Sequence, residues 1–99
     1  MSIINWLEEW YESNCNGDWE HCYNNVEIST LDNPGWRLRV NVTQTIYEDA
    51  IFKDVIIERT DNDWVHCRKK DGNIDCAGGS RNLSEMLEIV KQWMENNRP

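Results

Sequence analysis

The sequence predicts an α+β domain, in which an antiparallel sheet of about five strands is flanked by an N-terminal and a C-terminal helix. Apolar residues recur with helical spacing near each end of the chain, and they alternate with polar residues in between. Short turn sequences join the alternating segments, which favours antiparallel neighbours and places both helices on one face of the sheet. Because 99 residues are the size of one domain, residues 1–99 are expected to form a single core.

The first helix is predicted over residues 3–14, with Ser2 as its N-cap and Gly17 as its stop signal. The last helix is predicted to begin after Asn82, which forms a capping-box pattern with Glu85 three residues later. The apolar positions that define the two helices are Ile3, Trp6, Leu7, Trp10 and Tyr11, and then Leu83, Met86, Leu87, Val90, Trp93 and Met94.

A polar loop and a series of strands are predicted between these helices, with the loop at residues 16–25. Pro34-Gly35 supplies the turn between the first two strands, and Asp71-Gly72 is a tight hairpin signal between the last two. Gly78-Gly79 is expected to end the sheet. The predicted strands lie at residues 26–30, 36–43, 52–59, 64–68 and 73–77.

Negative charge is concentrated at one end of the chain. The net charge is -8, and no Lys or Arg occurs before Arg37, whereas all ten basic residues follow from there. Binding to nucleic acid requires clustered basic residues, so nucleic acid is excluded as a partner. Two interpretations of the acidic N-terminal third stay open, namely solubility and the attraction of a positively charged partner protein.

The sequence predicts a cytoplasmic protein with reduced thiols. The N-terminus lacks the basic segment and the apolar run of a secretion signal, and no stretch approaches the about 20 apolar residues that span a bilayer. Without export, cysteines remain thiols that pack as small apolar side chains. The four cysteines are Cys15, Cys22, Cys67 and Cys76.

A repeated Asp-Trp-x-His-Cys pattern, at residues 18–22 and 63–67, contains the ligand types of a zinc site. Adjacent residues on a strand point to opposite faces, so His66 and Cys67 are not expected to share one metal ion. The pattern also lacks the paired spacings that structural zinc sites use. We therefore expect no metal ion and no other cofactor.

The segment from Cys76 to Arg81 resembles the active-site loop of rhodanese-type sulfurtransferases. Backbone N–H groups and a following helix would stabilise a Cys76 thiolate, and Arg81 would add positive charge. The alternative function is thus a small sulfurtransferase with Cys76 and Arg81 as catalytic residues. The likeness covers only six residues, and rhodaneses have a parallel sheet, so the simpler interpretation is a strand end, a Gly-Gly turn and a capped helix. We expect the chain not to be an enzyme.

A further set of motifs runs in order over nearly the whole chain. They are Trp6-Leu7 with Trp10-Tyr11, Gly17 to His21, Leu31 to Trp36, Ile57 to Arg59 with Asn62 to Trp64, and Ala77 to Gly79 with Asn82-Leu83. Together these motifs resemble the immunity protein 53 family of bacterial polymorphic toxin systems. The resemblance implies a cytoplasmic protein that binds a cognate toxin protein and neutralises it, and we expect a monomer or a weak homodimer.

The expected toxin-binding surface is predicted on physical grounds, since aromatic residues surrounded by charge are typical of interface hot spots. An acidic surface of this kind suits a basic toxin, such as a nuclease. Trp19 has two possible positions, in the binding surface or in the core. The predicted binding residues are Glu8, Glu9, Glu12, Asp18, Trp19, Glu20 and His21.

Overall fold

The structure is a computed structural model that describes residues 2–98. It confirms the α+β class. The strands form one antiparallel sheet of five, and helices precede and follow them along the chain. The helices are α1 (Ile3–Asn14), α2 (Trp19–Cys22) and α3 (Leu83–Asn96). The strands are β1 (Val26–Leu31), β2 (Gly35–Asn41), β3 (Val55–Thr60), β4 (Asp63–Lys70) and β5 (Asn73–Gly78).

The strand order in the sheet is β1-β2-β5-β4-β3, and every neighbouring pair is antiparallel. The chain leaves β2, crosses to the far edge as β3, and returns through two hairpins, so that β5 lies next to β2 in the interior of the sheet. The predicted hairpin at Asp71-Gly72 forms, with positive φ angles of 52° and 79° at the two residues. These angles are the ones that two-residue hairpin turns require.

One face of the sheet forms the core together with the helices. Leu38 and Val40 on β2 lie beside Ile74 and Cys76 on β5, and all four side chains are buried. The alternate positions face the other side, where no helix covers the sheet among the described residues. The helical residues buried in the same core are Trp6, Leu7 and Trp10 from α1, Trp19 from α2, and Met86, Leu87, Val90 and Met94 from α3.

The N-cap of α1 is confirmed, but the predicted capping box of α3 is wrong. Ser2 Oγ accepts a hydrogen bond of 3.1 Å from the Asn5 backbone N–H. The side chain of Asn82 makes no capping bond, and instead its Nδ2 donates to Asp63 Oδ1 at 2.9 Å and to Glu85 Oε1 at 3.0 Å. The physical reason is that Arg59 pairs with both carboxylates and draws them together over the Asn82 amide.

This network also changes the acidity of its carboxyl groups. The guanidinium of Arg59 is the main cause of the lowered pKa of Glu85, to which it is joined at 2.6 Å. The pKa of Asp63 is lowered first by the hydrogen bond from Asn82 and then by Arg59. The network therefore ties the β3–β4 hairpin to the start of α3 with ionised groups.

The third strand begins later than residue 52, where the sequence placed its start. Phe52 lies in the core but outside the strand, with its ring centroid 5.3 Å from that of Trp93. Side chains satisfy the carbonyl groups of this connection, because Lys69 Nζ donates to the Glu48 and Ala50 oxygens at 2.6 Å each. Trp93 Nε1 donates to the Ile51 oxygen at 2.9 Å. These bonds replace the backbone hydrogen bonds that a neighbouring strand would have supplied.

Candidate functional site

Trp19 joins the N-terminal elements to the rest of the domain. Its side chain is only 1% exposed, and its ring centroid lies 5.7 Å from that of Trp10 and 5.8 Å from that of Tyr11. The indole Nε1 donates to the Thr43 carbonyl oxygen at 3.0 Å. Trp19 therefore belongs to the core, and it is not available as an anchor on the predicted binding surface.

The short helix α2, which the sequence analysis did not predict, is shaped by side chains that bond to nearby backbone. Asn16 Oδ1 accepts from the N–H groups of Asp18 and Trp19 at 2.9 and 3.0 Å. The Glu20 carboxylate accepts from the N–H groups of Asn16 and Gly17 at 2.9 and 2.7 Å. Hydrogen bonds from backbone N–H groups, first of all its own, lower the pKa of Glu20, so its carboxylate is ionised at neutral pH.

A groove of about 430 Å³ lies between α1, α2 and the start of β1, and we call it the N-terminal groove. Aliphatic and aromatic side chains form much of its lining, and carboxylates contribute negative charge. The lining residues are Leu7, Glu8, Tyr11, Glu20, Tyr23, Asn25 and Val26.

The structure brings together two of the predicted binding residues, Glu8 and Glu20, in the N-terminal groove. The others are exposed but do not line it, except for Trp19, which is buried. They are Glu9 and Glu12 on α1, Asp18 before α2, and His21 on α2.

Tyr11, Tyr23 and Asn25 also line the groove, and none of the three is among the predicted binding residues. The apolar spacing of the first helix includes Tyr11, although its side chain is 40% exposed. The spacing of three residues between Glu8 and Tyr11 does place them on one helix face, which is the one local signal for the groove. Nothing local indicates that Tyr23 and Asn25 approach α1.

Cys76 is placed in the core, within β5 rather than in a loop. Its direct neighbour across the sheet is Cys67, and the pKa of Cys76 is raised by a hydrogen bond with Cys67 and by burial. Arg81 is exposed, and the Gly79 N–H already donates to the Trp64 oxygen at 3.0 Å. A reactive thiolate needs an accessible, electropositive environment, so the sulfurtransferase alternative is not favoured.

Thiol accessibility gives a direct test of this placement. In the native protein we expect Cys15 and Cys22 to react with a thiol reagent, because both are exposed, while the buried Cys67 and Cys76 react only after unfolding. Titration with Ellman's reagent before and after adding urea, followed by peptide mass spectrometry, measures the difference. Rapid labelling of native Cys76, or thiosulfate–cyanide turnover that is lost in Cys76→Ser, would contradict the placement.

The repeated His-Cys pairs lie in two separate environments. Cys22 is exposed and Cys67 is buried, while His66 is exposed and its Nε2 lies 3.0 Å from Glu58 Oε1. Among residues 2–98, no three side chains of the types that bind metals lie close enough together to hold an ion.

The sheet face opposite the helices carries much of the basic charge. Arg37 and Arg39 on β2 lie 3.3 and 3.6 Å from Asp75 on β5, and Arg68 lies on the adjacent β4. A second groove, of about 470 Å³, runs over this face and is lined in part by Arg37, His66, Arg68 and Asp75. The domain thus carries acidic groups around α1 and α2 and many of its basic groups on the sheet.

An open groove with aromatic side chains inside and charged groups around it has the apolar centre and polar rim of a protein-binding surface. Residues 4–95 match the family described as Immunity protein 53, and the chain belongs to this family. It is therefore an immunity protein that acts against a toxin. No curated protein and no solved structure gave a significant match to the chain. Within residues 2–98, every helix is too short or too polar to cross a membrane.

Proposed function

We propose that this protein neutralises its cognate toxin in the bacterial cytoplasm, as part of a polymorphic toxin system, by binding it through the N-terminal groove and the carboxylates around it. The observation that supports this most is the docking of α2 on α1 through Trp19, which fixes Glu8 and Glu20 in one groove. The binding itself prevents the toxin from acting, so no catalytic step on this chain is required.

The charge distribution supports a basic toxin surface, such as that of a nuclease. The first 36 residues contain no Lys or Arg, so no such side chain within this segment offsets the acidic groups of α1 and α2. A concentrated field of one sign accelerates encounter with a partner of the opposite sign and disfavours wrong partners. The exposed carboxylates of α1 are Glu8, Glu9 and Glu12.

The aromatic side chains of the groove supply the apolar part of the proposed interface. Tyr11 is partly exposed and is held by its packing against Trp19, while Tyr23 lies in the same groove. Tyrosine is enriched among the residues that dominate binding energy, because it buries a large rigid surface and keeps a polar group at its end. Charge would then govern the rate of encounter, and the tyrosines would contribute to the lifetime of the complex.

The test uses the toxin encoded next to this protein and two matched charge reversals. Co-expression of the wild-type chain should restore growth, and the two proteins should elute as one complex in gel filtration. The double variant Glu8→Lys and Glu12→Lys should weaken the complex at least about tenfold, chiefly through slower association. The control, Glu88→Lys and Glu95→Lys, changes the same number of exposed charges on α3 and should bind within about twofold of wild type.

Failure of the wild-type chain to restore growth, together with separate elution of the two proteins, would contradict the proposed function. Equal loss of binding in the two double variants would contradict the assignment of the surface, because bulk charge alone would then explain the effect.

A further inference from the structure

We propose that the N-terminal groove is a receptor for a single arginine side chain of the partner protein. This inference rests on the proposed function, and it specifies what the groove recognises. It is carried by three features of the residues that line the groove, namely two carboxylates, two tyrosine rings and a buried amide oxygen that has no hydrogen-bond partner.

The first feature is a carboxylate fixed before any ligand arrives. Backbone N–H groups, among them those of Asn16 and Gly17, hold the Glu20 carboxylate, and its two oxygens have about four acceptor sites, so capacity for a ligand remains. Glu8 lies on α1 in the same groove and is exposed. Two carboxylates that come from different elements suit a planar group with several N–H donors, and the held position of Glu20 reduces the entropy lost on binding.

The second feature is aromatic. Tyr11 is partly exposed, and its contact with Trp19, with the rings tilted by 51°, holds it in place. Tyr23 is half-buried and lines the same groove. A guanidinium group stacks on the face of such rings while its edges donate hydrogen bonds, which an ammonium group does less well.

The third feature is Asn25, whose side chain is 6% exposed and whose Oδ1 is buried without a hydrogen-bond partner. Its backbone oxygen accepts from the Asn41 N–H at 2.9 Å, so β2 anchors this residue at the start of β1. Buried side-chain acceptors in native proteins are nearly always satisfied, so an orphaned one needs an explanation, and a bound donor group supplies one. A guanidinium has five N–H donors, more than one amide oxygen and two carboxylates need to receive one hydrogen bond each.

The groove can be tested on the free protein with an arginine probe. Titration of the ¹⁵N-labelled chain with N-acetyl-arginine methylamide should give saturable shifts of the Asn25 side-chain amide and of the Tyr11 and Glu20 backbone amides. A Kd on the order of millimolar is expected for one side chain without the rest of an interface. The matched neutral probe, N-acetyl-citrulline methylamide, and the lysine analogue should bind at least about fivefold more weakly.

Variants of the groove separate recognition from folding. Asn25→Leu removes the orphaned oxygen and leaves a similar volume, so the fold should be as stable as wild type or more stable. We expect it to weaken arginine binding about tenfold, with Glu8→Gln having a similar effect. Glu88→Gln on α3 is the control and should leave the affinity unchanged.

Equal shifts with citrulline or lysine, or shifts that do not saturate and spread over the whole acidic surface, would overturn the inference. So would a toxin complex whose affinity is unchanged by Asn25→Leu and Glu8→Gln, although the proposed function would then stand. If no toxin complex forms and the arginine shifts still saturate, the proposed function is wrong, but the N-terminal groove is still an arginine-binding site.

Discussion

Replacing Trp19 with alanine is expected to lower the free energy of unfolding by about 3–5 kcal/mol, the range for a large aromatic removed from a core. The indole is almost fully buried between α1 and the chain after β2, where it contacts the rings of Trp10 and Tyr11. Trp19 is the one buried residue of α2, so its loss should also release α2 and displace Glu20 from the N-terminal groove. Urea denaturation followed by circular dichroism measures the loss of stability.

Two further substitutions resolve the contributions at this site. Trp19→Phe keeps an aromatic ring but loses the hydrogen bond to the Thr43 oxygen, and we expect an intermediate cost of about 1–3 kcal/mol. His21→Ala changes an exposed residue of the same helix and should change stability by less than about 0.5 kcal/mol. A Trp19→Ala protein as stable as wild type would contradict the placement of this side chain in the core.

Gly79→Ala is expected to destabilise the domain by about 3 kcal/mol, because overpacking against backbone has little room to relax. A Cβ at residue 79 would overlap the Asn62 carbonyl oxygen and would lie 2.6 Å from Asn82 Oδ1. Asn82 is held by its bonds to Asp63 and Glu85, so it cannot move aside without breaking the network that anchors α3. Thermal unfolding and urea titration both report this change.

Gly17→Ala provides the matched control. Gly17 has a φ of 90°, and a Cβ there would meet no atom within 4 Å, so only backbone strain opposes the change. We expect a cost of about 1 kcal/mol at that position. If Gly79→Ala lowered the free energy of unfolding no more than Gly17→Ala, close packing would not explain why residue 79 is a glycine. A Gly79→Ala protein that was stable but had lost thiosulfate–cyanide turnover present in the wild type would instead support the sulfurtransferase alternative.

The local elements of the fold could be predicted because short-range physics determines them. The apolar spacing of α1 and the Ser2 cap require only residues within one or two turns of each other. Asp71-Gly72 satisfies the dihedral angles of its hairpin turn without help from the rest of the chain. The absence of Lys and Arg from the first 36 residues, which leaves that segment strongly negative, is a property of the sequence alone.

The capping network and the candidate site needed the tertiary structure. Asn82 has the residue type and spacing of an N-cap, but Arg59, which comes from β3, draws Asp63 and Glu85 toward its amide and reverses its role from acceptor to donor. Trp19 has an equally ambiguous local pattern, and its burial is decided by contacts with α1 and by the Thr43 oxygen.

By itself, the sequence determined the α+β class, the hairpins, the two terminal helices and the acidic N-terminal third, all of which follow from neighbouring residues. Only the tertiary structure decided that β5 pairs with β2, that Cys76 is buried against Cys67, and that Glu8 and Glu20 share a groove with Asn25. These features depend on contacts between distant segments, which no local pattern encodes, because the free energy of such contacts is gained only when the whole core assembles.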